Sequence, residues 1–257
     1  MKETKAAEET VDILAVGAHP DDIELGCGAT LVSLAARGRR FGILDLTRGE
    51  SGTRGTPQIR AAEAAAAAKA LGARFRQSLD LGDGGLRTDR DAELQVIEVI
   101  RRVRPKLVIA PFPADRHPDH VRASRLATEA SFYAGLRALR SGAAAHRPQS
   151  VVYYASSYTQ QPSFFVDVTD AFETKMKAIR CFASQFYDPA STEPETVLSQ
   201  KTFLDAIEAR ARAYGRLINV TYAEAFVSPR PPTLADPVAA FAGYELGFDG
   251  SLRSPGD

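Results

Sequence analysis

Four times between residues 11 and 110 a short apolar run gives way to a stretch of helical character. The runs fall at 11–18, 41–46, 75–81 and 107–110, and helices are predicted over 30–37, 56–71, 89–103 and, after the last run, 121–139. Continuous apolar strands of this kind suit a parallel sheet buried on both faces, because each face is covered by the crossover helices. Further strands are predicted at 151–154 and 164–168, helices at 169–182 and 196–215, and then a proline-rich segment. With no internal repeat and no linker, the pattern predicts one α/β domain over 11–232, flanked by tails at 1–10 and 233–257.

Two of these strands end in residues that a buried strand end tolerates only if they bind something. The first run stops at His19-Pro20-Asp21-Asp22-Ile23-Glu24, and the fourth is followed by Asp115-Arg116-His117-Pro118-Asp119-His120. The chain has four histidines, and three of them stand in these two motifs, each built on a His-Pro-Asp triplet. A lone histidine at a strand end is more often structural. Three, beside Asp21, Asp22, Asp115 and Asp119, read as the two halves of one metal site. In an open α/β sheet ligands bind beyond the carboxyl ends of the strands, where both motifs fall. Imidazole and carboxylate donors without thiolate suit zinc, and manganese, iron or nickel accept the same set. Two imidazoles and one carboxylate leave a coordination position for water, as catalytic sites do. A divalent ion there lowers the pKa of water and polarises a carbonyl, and a surplus carboxylate can act as general base. The residues by themselves leave His117 and His120 both open as the second imidazole ligand.

Composition narrows the partners. Lys plus Arg equals Asp plus Glu at 32 each, so no basic field points to nucleic acid or a membrane surface. Cys27 and Cys181 are far apart and form no ligand pattern, which predicts reduced thiols. Residues 1–10 lack the apolar core of a signal peptide and no run reaches membrane-spanning length. These features predict a cytoplasmic protein acting on a small molecule.

The paired motifs resemble those of the LmbE-like (PIG-L) family of zinc-dependent N-acetylglucosamine deacetylases. The segments Asp45-Leu46-Thr47-Arg48-Gly49-Glu50, Ile59-Arg60-Ala61-Ala62-Glu63-Ala64, Ser184-Gln185-Phe186 and Tyr222-Ala223-Glu224-Ala225-Phe226 extend the similarity toward its bacillithiol-biosynthesis branch. The resemblance covers residues 11 to 232 and implies a single Rossmann-like domain with its site at the carboxyl ends of the strands. It implies His19, Asp22 and His120 as ligands of Zn2+ (or Fe2+), and Asp21 as the base that activates water. It implies His117 as general acid or stabiliser of the charged intermediate, with Asp119 orienting it. It further implies N-acetylglucosaminyl malate as substrate and a homohexamer. Deacetylation of another N-acetyl sugar or thiol conjugate, and a metal-stabilised sugar-binding module without catalysis, are the competing readings.

Other residues carry weaker signals. Arg60 and Arg116 are expected to meet substrate carboxylates or hydroxyls, whereas Arg48 and Arg54 are expected in surface salt bridges. Glu24 is balanced between fixing a ligand imidazole and a solvated helix-start acid. Gly26-Cys27-Gly28 with Asp45 faintly resembles a dinucleotide fingerprint, but His-Pro-Asp-Asp fills the turn where a pyrophosphate would sit. Tyr153, Tyr154 and Tyr158 are expected as sheet or wall residues, Cys27 as a small buried hydrophobe, and His146 at the surface.

Overall fold

The computed structural model describes residues 10–155 and 161–238, with the backbone of 245–246 and 252–253. Tyr158 lies outside the described residues. Strands β1 (Ile13–Gly17), β2 (Phe41–Asp45), β3 (Arg76–Ser78), β4 (Leu107–Pro111), β5 (Ser150–Tyr154), β6 (Phe164–Asp167) and β7 (Ala223–Val227) form one sheet of order β3-β2-β1-β4-β5-β7-β6. β1 to β5 pair in parallel, and β7 runs antiparallel between β5 and β6. Among the described residues the helices that cover it are α1 (Asp22–Ala36), α2 (Pro57–Leu71), α3 (Arg90–Val103), α4 (Pro118–Tyr133), α5 (Phe172–Arg180) and α6 (Phe203–Leu217). None of these described helices is long and apolar enough to cross a membrane.

The strands are apolar on both faces because they feed two cores. Leu14, Val16 and Val108 join the core under α3 and α4, while Ile13, Ala15 and Ile109 join the one under α1, α2, α5 and α6. Local signals set most boundaries. The Thr56 hydroxyl accepts from the Ile59 amide ahead of Pro57 to start α2, and Gly72 closes it in a left-handed turn. Asp89 caps α3 in the same way, accepting from Ala92.

The differences from the sequence expectation have physical causes. α1 begins at Asp22, not at residue 30, because almost every side chain from Asp22 to Leu31 is buried. A helix enclosed all round shows no amphipathic stripe, and its two glycines further hide it. α6 starts at Phe203 because Thr196 and Ser199 lock the preceding residues into a turn: each amide donates to the other's hydroxyl. α4 stops at Tyr133 rather than near 139, and the segment 169–182 resolves into a 3-10 turn (Thr169–Ala171) before α5. β3 keeps only three residues of the predicted run, and β7 shows no strand pattern in the sequence. His146 is half-buried, not a surface residue, with Nε2 2.7 Å from the Pro105 carbonyl. Cys27 is buried and unpaired, and Tyr153 and Tyr154 are buried in β5.

Two contacts fix α1 against the sheet. Gly26 faces the ring of the fully buried Tyr154, and a methyl group at that position would overlap the ring. Further along, the buried Glu224 carboxylate from β7 accepts from the amides of Ala29 and Thr30, at 3.2 and 2.7 Å. Lys175 of α5 pairs with Glu224 at 2.6 Å and donates to the Leu25 carbonyl. Gly26→Ala is expected to destabilise the fold by about 1–3 kcal/mol in urea unfolding. In the double variant with Tyr154→Ala the two costs should sum to less than their separate values, because the ring that is overlapped has gone.

Candidate metal centre

The strand order reverses at β1: β2 lies on one side of it and β4 on the other. The crevice beyond the carboxyl ends of β1 and β4 is therefore the switch point of the sheet. Both His-Pro-Asp motifs open onto it, one leading from β1 into α1 and the other from β4 into α4. Asp21 precedes α1 with a left-handed backbone (φ 108°), a costly conformation for a residue with a side chain. His117 caps α4, its Nδ1 accepting from the Asp119 amide at 3.2 Å.

The motifs converge on the Asp22 carboxylate. His120 Nε2 stands 3.1 Å from Asp22 Oδ1, and His19 Nδ1 stands 3.7 Å from Asp22 Oδ2. Among the described residues, donor atoms of His19, His117 and His120 lie within 4.8 Å of one another, as do those of His19, Asp83 and Asp119. The second nitrogen of each flanking imidazole also meets a carboxylate. His19 Nε2 is 2.9 Å from Asp83, and His120 Nδ1 is 3.2 Å from Asp115, whose side chain is fully buried.

This environment favours a cation. Burial opposes protonation of both rings, yet the carboxylates of Asp119, Asp22 and Asp83 around it push His19 up to about 12. The Asp22 charge and the Asp115 and Asp22 hydrogen bonds push His120 up to about 10. Asp22 itself is buried, but the two imidazoles hold it well below the usual carboxylate range. His117 moves the other way, lowered by burial and by repulsion from its neighbours. His19 Nε2 is buried, 2.9 Å from the Asp83 carboxylate and 3.6 Å from that of Asp119. Nitrogen and oxygen donors around one buried carboxylate, each imidazole backed by another carboxylate, fit a borderline divalent ion such as zinc or iron.

Asp21 lies beside this cluster on the pocket floor. Burial pushes its carboxyl up to about 7, against the pull of Arg60. Arg60, expected to contact substrate, lines the pocket but is buried and bonded to the protein. It donates to the Pro20 and Gly49 carbonyls at 2.6 and 3.1 Å and to Asp21 at 3.2 Å. Gly49 has a left-handed backbone, and a side chain there would occupy the place of the guanidinium. Arg116 is exposed and lines the pocket.

Three further expectations change. Glu24 is neither a partner of an imidazole nor solvated: it is fully buried and bonded to Arg76 at 2.7 Å, and Arg76 also grips Asp45 through two nitrogens. The Asp119 carboxylate accepts from the Gly84 and Leu86 amides and Arg122, so the Asp119 backbone, not its side chain, orients His117. Arg54 is buried rather than at the surface, bonded to Ser191 at 2.7 Å and paired with Glu193 at 3.6 Å, while Arg48 does form an exposed pair with Asp80. The imidazole partners that sequence reasoning missed are Asp115 and Asp83. Asp115 belongs to the second motif, but Asp83 sits in a glycine-rich loop with no spacing to mark it.

Above the cluster is a cavity of about 690 Å³. Over residues 14–131 the sequence matches the family described as PIG-L: GlcNAc-PI de-N-acetylase. It is 34% identical over 228 residues to the diacetylchitobiose deacetylase of Thermococcus kodakarensis, a match spanning 82% of this chain and 80% of that protein. The crystal structure of the conserved protein TT1542 from Thermus thermophilus superimposes with a TM-score of 0.80 at 41% identity, covering 89% of this chain and 98% of that one. The 4-oxalmesaconate hydratase of Pseudomonas putida is 29% identical over 189 residues, 67% of this chain and 73% of that protein.

His120→Ala is expected to abolish stoichiometric binding of Zn2+ or Fe2+ in a metal titration. Asp115→Asn should weaken it about 10- to 100-fold, the usual cost of losing the carboxylate behind a ligand imidazole.

Proposed function

Because this chain belongs to the PIG-L family of de-N-acetylases, we propose that it hydrolyses the acetamide of an N-acetylated amino-sugar conjugate, releasing acetate and the free amine. The observation that carries this reading is the juxtaposition of a donor cluster fit for a divalent ion with a separate carboxylate, Asp21, fixed by Arg60 beside it. In this reading His19, Asp22 and His120 hold the ion, which when bound lowers the pKa of water and polarises the acetamide carbonyl.

Asp21 takes the proton of the attacking water and returns it to the departing nitrogen, so both proton transfers use one carboxyl. Its strained backbone and the Arg60 contact hold the carboxylate in one position. His117 accepts from the Asp119 amide through Nδ1, so in its neutral form the proton is on Nε2. That arrangement supports His117 as a hydrogen-bond donor to the carbonyl oxygen as it becomes negative. It supports less well a general-acid role, since the second proton would displace the Asp119 amide.

The resemblance to the bacillithiol branch makes N-acetylglucosaminyl malate one candidate conjugate, and Arg116 on the pocket rim supports an anionic group there. Arg60 gives that choice no support. Addition of water to an unsaturated acid, the kind of reaction named for the Pseudomonas relative, is the second reading. Release of acetate from N-acetylglucosaminides by the metal-loaded protein supports deacetylation, and its absence on every such glycoside rejects it.

Asp21→Ala is expected to retain metal but lose about 10²- to 10⁴-fold in turnover, the usual contribution of a positioned base. Arg60→Gln should lower kcat by about 10²-fold with little change in KM, because it loosens Asp21 rather than removing a substrate contact. A rise in KM at constant kcat would instead return Arg60 to the substrate.

A further inference from the structure

The pocket is not uniform. Its floor is the polar cluster, and beside it stands a group of apolar side chains: Leu25 from α1, Val197 and Leu198 from the turn before α6, and Phe203 and Ile207 from α6 itself, with Arg210 of the same helix also lining the pocket. Phe203 and Ile207 are four residues apart and so share one helix face. Leu25 stands three residues after Asp22 on α1, so the wall begins within one helical turn, about 5.4 Å, of the carboxylate that the imidazoles share. Val197, in the same lining, is 44% exposed.

This wall is built before any ligand arrives. Val197 and Leu198 lie between Thr196 and Ser199, whose reciprocal amide–hydroxyl bonds fix the turn. Phe203 stacks on Phe186 with ring centroids 5.9 Å apart, and Ile207 is buried in the core under α6. An acetyl methyl, held at the polar floor, is too small to cover five apolar side chains. A free hexosamine would find polar partners only in Gln185, Thr196 and Arg210 of that lining and would leave the apolar side chains poorly covered.

We propose that this wall is a second subsite, which takes an apolar aglycone, aryl or alkyl, carried by the N-acetylated sugar. The proposal rests on the deacetylase reading for its chemistry but not on the malate substrate. The reaction is unchanged: the amide C–N bond breaks, water supplies the new C–O bond, and the aglycone stays attached to the sugar. The wall acts through binding area alone and favours substrates that bury apolar surface against α6.

The test compares kcat/KM for acetate release from methyl, phenyl and octyl N-acetylglucosaminides and from the malate glycoside, using the metal-loaded full chain. The phenyl and octyl glycosides are expected to exceed the methyl glycoside by about tenfold or more, from the apolar area removed from water. In Val197→Asp and Phe203→Leu that ratio is expected to fall toward about one, since a charge or a lost ring spoils the wall. The ratio is taken within each variant, so partial loss of folded protein does not move it. A wild-type ratio near one, a preference for the malate glycoside, or a ratio unchanged in both variants overturns the subsite. Release of acetate from none of the glycosides overturns the deacetylase reading, and the subsite falls with it.

Discussion

The site depends on one buried carboxylate. Asp22 is the first residue of α1, and its two oxygens face an imidazole from each of two motifs about a hundred residues apart in sequence. Three ionisable groups out of water would be a liability without further partners. Asp83 and Asp115 stand on the far sides of the two rings, which leaves the cluster with more negative than positive charge to offer. That surplus is what a divalent cation would neutralise. The sheet makes the meeting feasible, because β1 and β4 are neighbours at the point where the strand order turns.

Much of this was legible in the sequence, for identifiable reasons. The parallel sheet followed from apolar runs too continuous to have a wet face, and the convergence of the motifs followed from the rule that such sheets bind ligands at their carboxyl ends. Helices with amphipathic faces or clear caps, such as α2 and α3, declared themselves. α1 did not, since a helix buried on every side has no periodic signal. The same burial explains Glu24, whose position near a helix start suggested solvent or an imidazole partner. Its actual partner, Arg76, comes from an edge strand of three residues that the pattern blurred into a longer run.

The residues that support the site were harder to see than those that form it. A His-Pro-Asp motif is compact, so its spacing can be read. Asp83 and the Gly84 and Leu86 amides belong to a loop whose meaning lies only in where it folds, against His19 and the Asp119 carboxylate. Arg60 was visible as a candidate, but its task was not. The guanidinium fits because Gly49 vacates the space beside it, and nothing in the spacing of residues 49 and 60 records that fit. Sequence separation and chemical role were thus decoupled wherever the interaction ran through a loop.

The Glu224 contacts with α1 set an order of events for a chain made from its amino end. The helix that carries Asp22 contains two glycines, and its middle is held by a carboxylate 194 and 195 positions later, with Lys175 between them in sequence. Every residue of the two His-Pro-Asp motifs is therefore synthesised well before the strand that finally secures one of them. A ribosome-bound chain that has reached α4 has every donor of the candidate cluster but not yet the Glu224 and Lys175 contacts to α1. The last described strand of the large sheet, β7, completes the first helix.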